Sequence, residues 1–163
     1  MSDQQTSADY LKSEPGMEPV VIEGLFRAPP ARVFQAFTQK EDVRHWFIPK
    51  AGSLVSAEID LKVGGKWCFV IDRTEEKQIQ FEGEYLVIDP PYRLEFNWHH
   101  VQEFADGSRE ATDSSLVTIT FAAVGDATEV RLYHSAIKSE DARRGVGGGW
   151  SSCFDRIASL LTN

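Results

Sequence analysis

The stretch 78-QIQFEGEYLVIDPPYRLEFNWHH-100 decides the fold. Apolar and polar side chains alternate through 78–88 and again through 93–100, the period of a half-buried strand. Asp89-Pro90-Pro91-Tyr92 joins the two runs, and a link this short connects antiparallel neighbours, not parallel ones. Pairing across it sets Tyr85 opposite Phe96, Gly83 opposite Trp98 and Phe81 opposite His100. Glycine at 83 leaves room for an indole.

Working outward, 115-SLVTITFAA-123 and 127-ATEVRLYHS-135 flank Gly125-Asp126. A two-residue turn there pairs Phe121 with Val130, Ile119 with Leu132 and Val117 with His134, so register and hydrophobic pattern agree. On the other side, 55-VSAEIDL-61 and 66-KWCFVID-72 flank Val63-Gly64-Gly65. A two-residue loop scrambles their faces; a three-residue loop with a left-handed Gly pairs Leu61 with Trp67 and Ile59 with Phe69. With 20-VVIEGLFR-27 as the first strand, the chain reads as an antiparallel meander. Its outward face carries Glu82, Glu84, Arg93, Glu95, Asn97, Thr118, Thr120, Glu129 and Arg131, a solvated surface. Its aromatic inner face must be covered.

The cover comes from 145-GVGGGWSSCFDRIASLL-161, where Trp150, Cys153, Phe154, Ile157, Leu160 and Leu161 recur at helical spacing. Ser139-Glu140-Asp141 supplies a cap, and a helix over 139–162 reaches ~36 Å. The glycine run has no following Lys and no parallel βαβ setting, which argues against a phosphate loop. The reading preferred is steric: Gly147, Gly148 and Gly149 leave a gap between helix and sheet, and the helix either starts only at about Gly149 or is loosened where it crosses the sheet, beside a pocket. Two short helices follow the first strand. Pro30 opens one carrying Val33, Phe34 and Phe37; Thr38 and Glu41 form a capping box for another carrying Val43, Trp46 and Phe47.

The chain has 163 residues and a net charge of -8, which disfavours nucleic acid and anionic lipid. No run approaches a membrane span and residues 1–17 lack a signal-peptide apolar region, so a cytoplasmic protein is expected. Those 17 residues read as a disordered polar tail, with one domain over 18–163. Cys68 and Cys153 read as free packing thiols. Neither a metal site nor a cofactor motif is expected, and monomer or homodimer is left open.

The motifs 28-APPARVFQAFT-38, 44-RHWFIP-49, 64-GGKW-67, 83-GEYLVIDPPYRLEFNW-98, 117-VTITF-121, 128-TEVRLYH-134 and 149-GWSSCFDRIASLL-161 together resemble the START-like (SRPBCC) superfamily. Within it, the resemblance is to relatives of the C-terminal domain of the activator of the heat-shock ATPase chaperone. It covers essentially residues 20–162. The resemblance implies an α+β helix-grip fold: a curved antiparallel sheet of six to seven strands wrapped around a long C-terminal helix, with two short helices after the first strand. It also implies an internal hydrophobic cavity, and functions from ligand binding through cyclase-type catalysis to chaperone contact.

Inward parity then nominates a ligand-binding set: Trp67, Phe69, Phe81, Tyr85, Phe96, Trp98, His100 and His134 from strands, with Trp46, Phe47, Trp150 and Phe154 from helices. A pocket of roughly 300–1,000 Å³ would suit a small molecule; an ordinary packed core is the alternative for each residue. His100 and His134 lie on parallel strands about 10 Å apart, two interstrand spacings, within reach of one ligand. No nucleophile elbow and no inner carboxylate pair is present, so no catalytic residue is assigned. The polar loop 101–113 reads as a portal, with solvated disorder as the alternative. Three functions follow: binding of a small hydrophobic or aromatic ligand; a cyclase, dehydratase or hydrolase in the same cavity; or a chaperone-contacting domain using the outer face.

Overall fold

The computed structural model describes residues 16–48 and 54–162. In chain order the elements are β1 (Val20–Phe26), α1 (Pro30–Thr38), α2 (Lys40–Trp46), β2 (Ser56–Ile59), β3 (Lys66–Arg73), β4 (Lys77–Asp89), β5 (Arg93–Phe104), β6 (Arg109–Ala111), β7 (Ser115–Val124), β8 (Ala127–Ser135) and α3 (Glu140–Thr162). All strand pairs are antiparallel, in the order β1-β8-β7-β5-β4-β3-β2, with β6 paired to β5 beside the main path. The architecture is the expected helix-grip α+β fold, with α3 laid across the inner face. At 23 residues, α3 spans about 35 Å.

Period-2 alternation does what it promises in β1, β7 and β8, whose burial alternates residue by residue. The inward members Val20, Ile22, Phe26, Val117, Ile119, Phe121, Val130 and Leu132 form one core with Phe154 and Ile157 of α3. Phe154 meets Phe26 and Phe37 at ring distances of 5.4 and 6.1 Å. The pairs Phe121↔Val130, Ile119↔Leu132 and Val117↔His134 occur as expected. So do Tyr85↔Phe96 and Phe81↔His100.

Several local readings are corrected. The β2–β3 connection is longer than three residues: Ile59 pairs with Trp67 and Ala57 with Phe69, two residues from the expected register. The faces survive because the shift is even. Its cause is β4, which captures the glycines: Gly64 N–H donates to the Tyr85 carbonyl and Tyr85 N–H to the Gly65 carbonyl, both at 2.9 Å. In β4 the register slips between Tyr85 and Val87, so Leu86 bulges outward and is exposed. The 101–113 segment is mostly ordered strand rather than a portal loop. Val101, Gln102 and Glu103 pair with β6 around a turn in which Asp106 Oδ1 accepts from the Ser108 N–H and hydroxyl.

Helix ends differ too. Pro30 occupies the first turn of α1 as expected, but no capping box opens α2: Gln39 is its N-cap, and Thr38 Oγ1 instead donates to the Phe34 carbonyl at 2.9 Å. At α3, Ser139 Oγ does accept from Ala142 N–H. The glycine run sits inside α3, and the steric reading fails. A Cβ at Gly148 or Gly149 meets nothing within 4 Å, and one at Gly147 only touches Val20 at 3.5 Å. What these glycines bring is low helix propensity. Gly83 is the opposite case: a Cβ there lies 1.9 Å from the Asn97 carbonyl oxygen and 2.7 Å from Trp67 Nε1, so the indole it admits is Trp67, its β3 partner, not Trp98.

Two substitutions follow with opposite signs. Gly83→Ala forces backbone apart and costs about 3 kcal/mol or more, whereas Gly148→Ala adds a solvent-facing methyl in a helix and stabilises by up to ~1 kcal/mol. Urea unfolding monitored by circular dichroism reads both; a neutral Gly83→Ala or a destabilising Gly148→Ala contradicts the packing described.

Candidate functional site

The inner face closes on six aromatic rings. Trp46 meets Phe47 at 6.0 Å, Phe47 meets Phe69 at 5.0 Å, Phe69 meets Trp67 at 4.9 Å, and Trp67 meets Trp98 at 5.3 Å. Trp98 meets Trp150 at 5.5 Å, and Trp150 returns to Trp46 at 6.4 Å. The hoop contains all four tryptophans of the chain. Sheet strands β3 and β5 supply one arc; α2, the residue after it and α3 supply the other. Mixed tilted and edge-on packing is the low-energy arrangement for such rings.

Inside this hoop is a cavity of about 20 Å³ lined by Phe37, Trp46, Phe47, Trp67, Phe69, Tyr85, Phe96, Trp98 and Trp150. Eight of the twelve nominated residues line it. The hollow lies where parity placed it, but it is far below the expected volume, with room for about one water. Phe37 joins the lining from α1; its helical spacing marked it as apolar without marking the cavity.

The other four nominated residues lie around the hoop rather than in it. Phe81 packs on Phe47 and Trp98 at 5.8 and 4.8 Å. Phe154 is fully buried beneath, in the core. His100, half-buried, meets Phe81 edge-on at 5.3 Å. Burial, with a smaller contribution from Lys77, holds its imidazole below the usual range. His134 is fully buried, with Trp98 against it at 5.3 Å. The two histidines thus each pack edge-on against a different ring, His100 against Phe81 and His134 against Trp98.

His134 has both ring nitrogens occupied. Trp150 Nε1–H donates to Nδ1 at 3.1 Å, which makes Nδ1 the acceptor and puts the proton on Nε2. Nε2–H then donates to Ser115 Oγ at 2.8 Å, and the Ser115 hydroxyl donates to the Trp98 carbonyl at 3.3 Å. Burial pulls the His134 pKa down to about 4. An imidazolium would also aim N–H at N–H across the Trp150 contact. Parity found His134, but not Ser115, whose small hydroxyl at the start of β7 gave no signal of its own. Trp46 is oriented in the same manner, its Nε1–H donating to the Ala36 carbonyl at 2.8 Å.

Trp67 differs from these two. Its Nε1–H is buried and has no hydrogen-bond partner. Tyr85 brings the only hydroxyl of the lining set, and burial pushes its pKa upward, so it stays protonated. Burial, for Cys68 together with neighbouring carboxylates, raises the thiols to about 11 at Cys68 and about 12 at Cys153, which disfavours the thiolate. Among the described residues no cluster of three or more His, Cys, Asp or Glu side chains is placed to hold a metal, and no helix is long and apolar enough to cross a membrane.

This geometry, a curved antiparallel sheet gripping a helix over an aromatic hollow, defines a helix-grip domain. The chain belongs to the family described as activator of Hsp90 ATPase homolog 1-like protein, whose profile matches residues 27–162. Solved structures share the fold. Protein Ms6760 from Mycobacterium smegmatis is 20% identical with a TM-score of 0.73, over 94% of this chain and 96% of that one. A Rhodobacter sphaeroides protein is 16% identical with a TM-score of 0.74, over 94% and 99%. The AHSA1 protein from Silicibacter pomeroyi is 19% identical with a TM-score of 0.73, over 88% and 97%. No curated protein sequence matches the chain.

The His134 geometry sets a pH dependence. An unfolded histidine titrates near 6.5, and the folded one near 4. Above pH 6.5 both states are neutral; as pH falls toward 4 the unfolded chain takes a proton that the folded one refuses, so stability declines. Between pH 7 and 5 the loss from this residue is roughly 2 kcal/mol. Urea titrations at both values should show His134→Gln losing less than the parent by about that amount; equal losses contradict the assignment.

Proposed function

We propose that this chain binds a small, neutral, largely aromatic molecule between the sheet and the two helices α2 and α3. The observation that carries this reading is the six-ring hoop around a residual cavity. A core built only for stability has no need to gather every tryptophan at one hollow, and buried apolar surface lined by a few polar groups is the usual character of a small-molecule site. A cavity of about 20 Å³ must widen to admit such a molecule. A ligand enters by displacing the helical arc, Trp46, Phe47 and Trp150, from the sheet arc. Gly145, Gly147, Gly148 and Gly149 lie within ten residues of the α3 start, and each lowers local helix stability by up to ~1 kcal/mol relative to Ala. That weakness makes the Trp150 side of the hoop the cheaper one to move.

Catalysis in the same cavity has less support. A general base needs a free nitrogen facing the substrate, and His134 has none to offer. Chaperone contact through the outer face is the second reading, favoured by the family's description. Against it, the outer charges largely pair with each other. Arg109 bridges Glu82 and Glu103 at 2.7 and 3.1 Å, Arg131 holds Glu23 at 3.0 Å, and Arg93 pairs with Glu95. Three Arg against four Glu leave these pairs acidic on balance, with most of their charges already engaged, which weakens recruitment of a charged partner.

Native mass spectrometry of the purified chain and titration with uncharged N-phenyl-1-naphthylamine test the proposal. The expected results are a co-purifying small molecule, or saturable one-to-one probe binding with blue-shifted probe emission. Phe96→Trp, which fills the hollow, should weaken the probe about tenfold or more. No co-purifying molecule together with no saturable binding removes the proposal.

A further inference from the structure

Resting on that cavity reading, we infer that the ligand presents a hydrogen-bond acceptor, a carbonyl-type oxygen on a planar aromatic frame, to the indole N–H of Trp67. A buried donor without a partner is rare in a native fold and costs more than a hydrogen bond gains. Trp46 and Trp150 spend their N–H groups on the Ala36 carbonyl and on His134 Nδ1. Trp67 Nε1 alone among buried indole nitrogens stays unmet. The ring that carries it lines the cavity, and the nitrogen lies over Gly83 on the inner face of the sheet, where any larger residue would displace it.

The lining also excludes alternatives. Besides the indoles, its one polar side-chain group is the Tyr85 hydroxyl, which burial keeps protonated. The wall therefore offers donors, with the phenol oxygen its only side-chain acceptor. A ligand rich in donors would leave them unpaired on burial. Ring faces attract a cation, but a cation leaves the Trp67 N–H unmet, and an anion is disfavoured by the lack of any Lys or Arg in the lining. A neutral ring system bearing carbonyl oxygen satisfies the wall, with Tyr85 available as a second donor.

Fluorenone and fluorene test this directly, because they share a shape and differ in the carbonyl. Calorimetric titration of the full chain should give fluorenone about tenfold tighter than fluorene. In Trp67→Phe the ratio of fluorenone to fluorene affinity should fall to near unity, whatever the change in fluorene affinity itself. As a check that needs no variant, proton–nitrogen NMR of the unaltered protein should show the Trp67 indole N–H moving strongly downfield with fluorenone and not with fluorene. Equal affinities in the parent, or a preference that survives in folded Trp67→Phe, overturn this inference and leave the cavity reading standing. Binding of neither compound, with no probe binding either, removes both.

Discussion

The chain of hydrogen bonds from Trp150 through His134 and Ser115 to the Trp98 carbonyl holds the helix and the sheet in one relation. It joins α3, β8, β7 and β5 in a single line. Each member both satisfies a buried polar group and orients the next, so the line has one consistent direction of donation. Because Trp150 and Trp98 are also members of the aromatic hoop, the same line sets the width of the cavity between them. Burial makes that line depend on a neutral imidazole, and the cost of charging it couples the grip of the helix to protonation.

Much of this was legible in the alternation of the strands. Inward parity of Trp67, Phe69, Tyr85, Phe96 and Trp98 follows from a period of two, which survives even-numbered errors in register. That is why the β2–β3 pairing missed by two residues and still delivered the correct face. What alternation could not reveal were events that involve a third element. The capture of Gly64 and Gly65 by β4 and the bulge at Leu86 arise from competition among strands. Thr38 illustrates the same limit at shorter range, since its hydroxyl had two backbone partners within reach and bonded backward into α1.

The hollow was legible in location and not in size. Hydrophobic pattern says which rings converge; it does not say how far they interpenetrate, and packing to crystal-like density is the default of protein interiors. Two further details needed coordinates. Ser115 joined the hollow's surroundings as a relay, and of the α3 glycines only Gly147 lies against the sheet, without crowding it, while Gly148 and Gly149 face solvent, so their effect is on backbone freedom.

The gathering of the tryptophans also has an optical consequence. With Trp67, Trp98, Trp150 and Trp46 linked by ring distances of 5.3 to 6.4 Å, light absorbed by any one indole is shared among all, and none lies elsewhere in the chain to dilute the signal. The tryptophan emission of this protein thus originates in one compartment, and any change there is written into the whole of that signal.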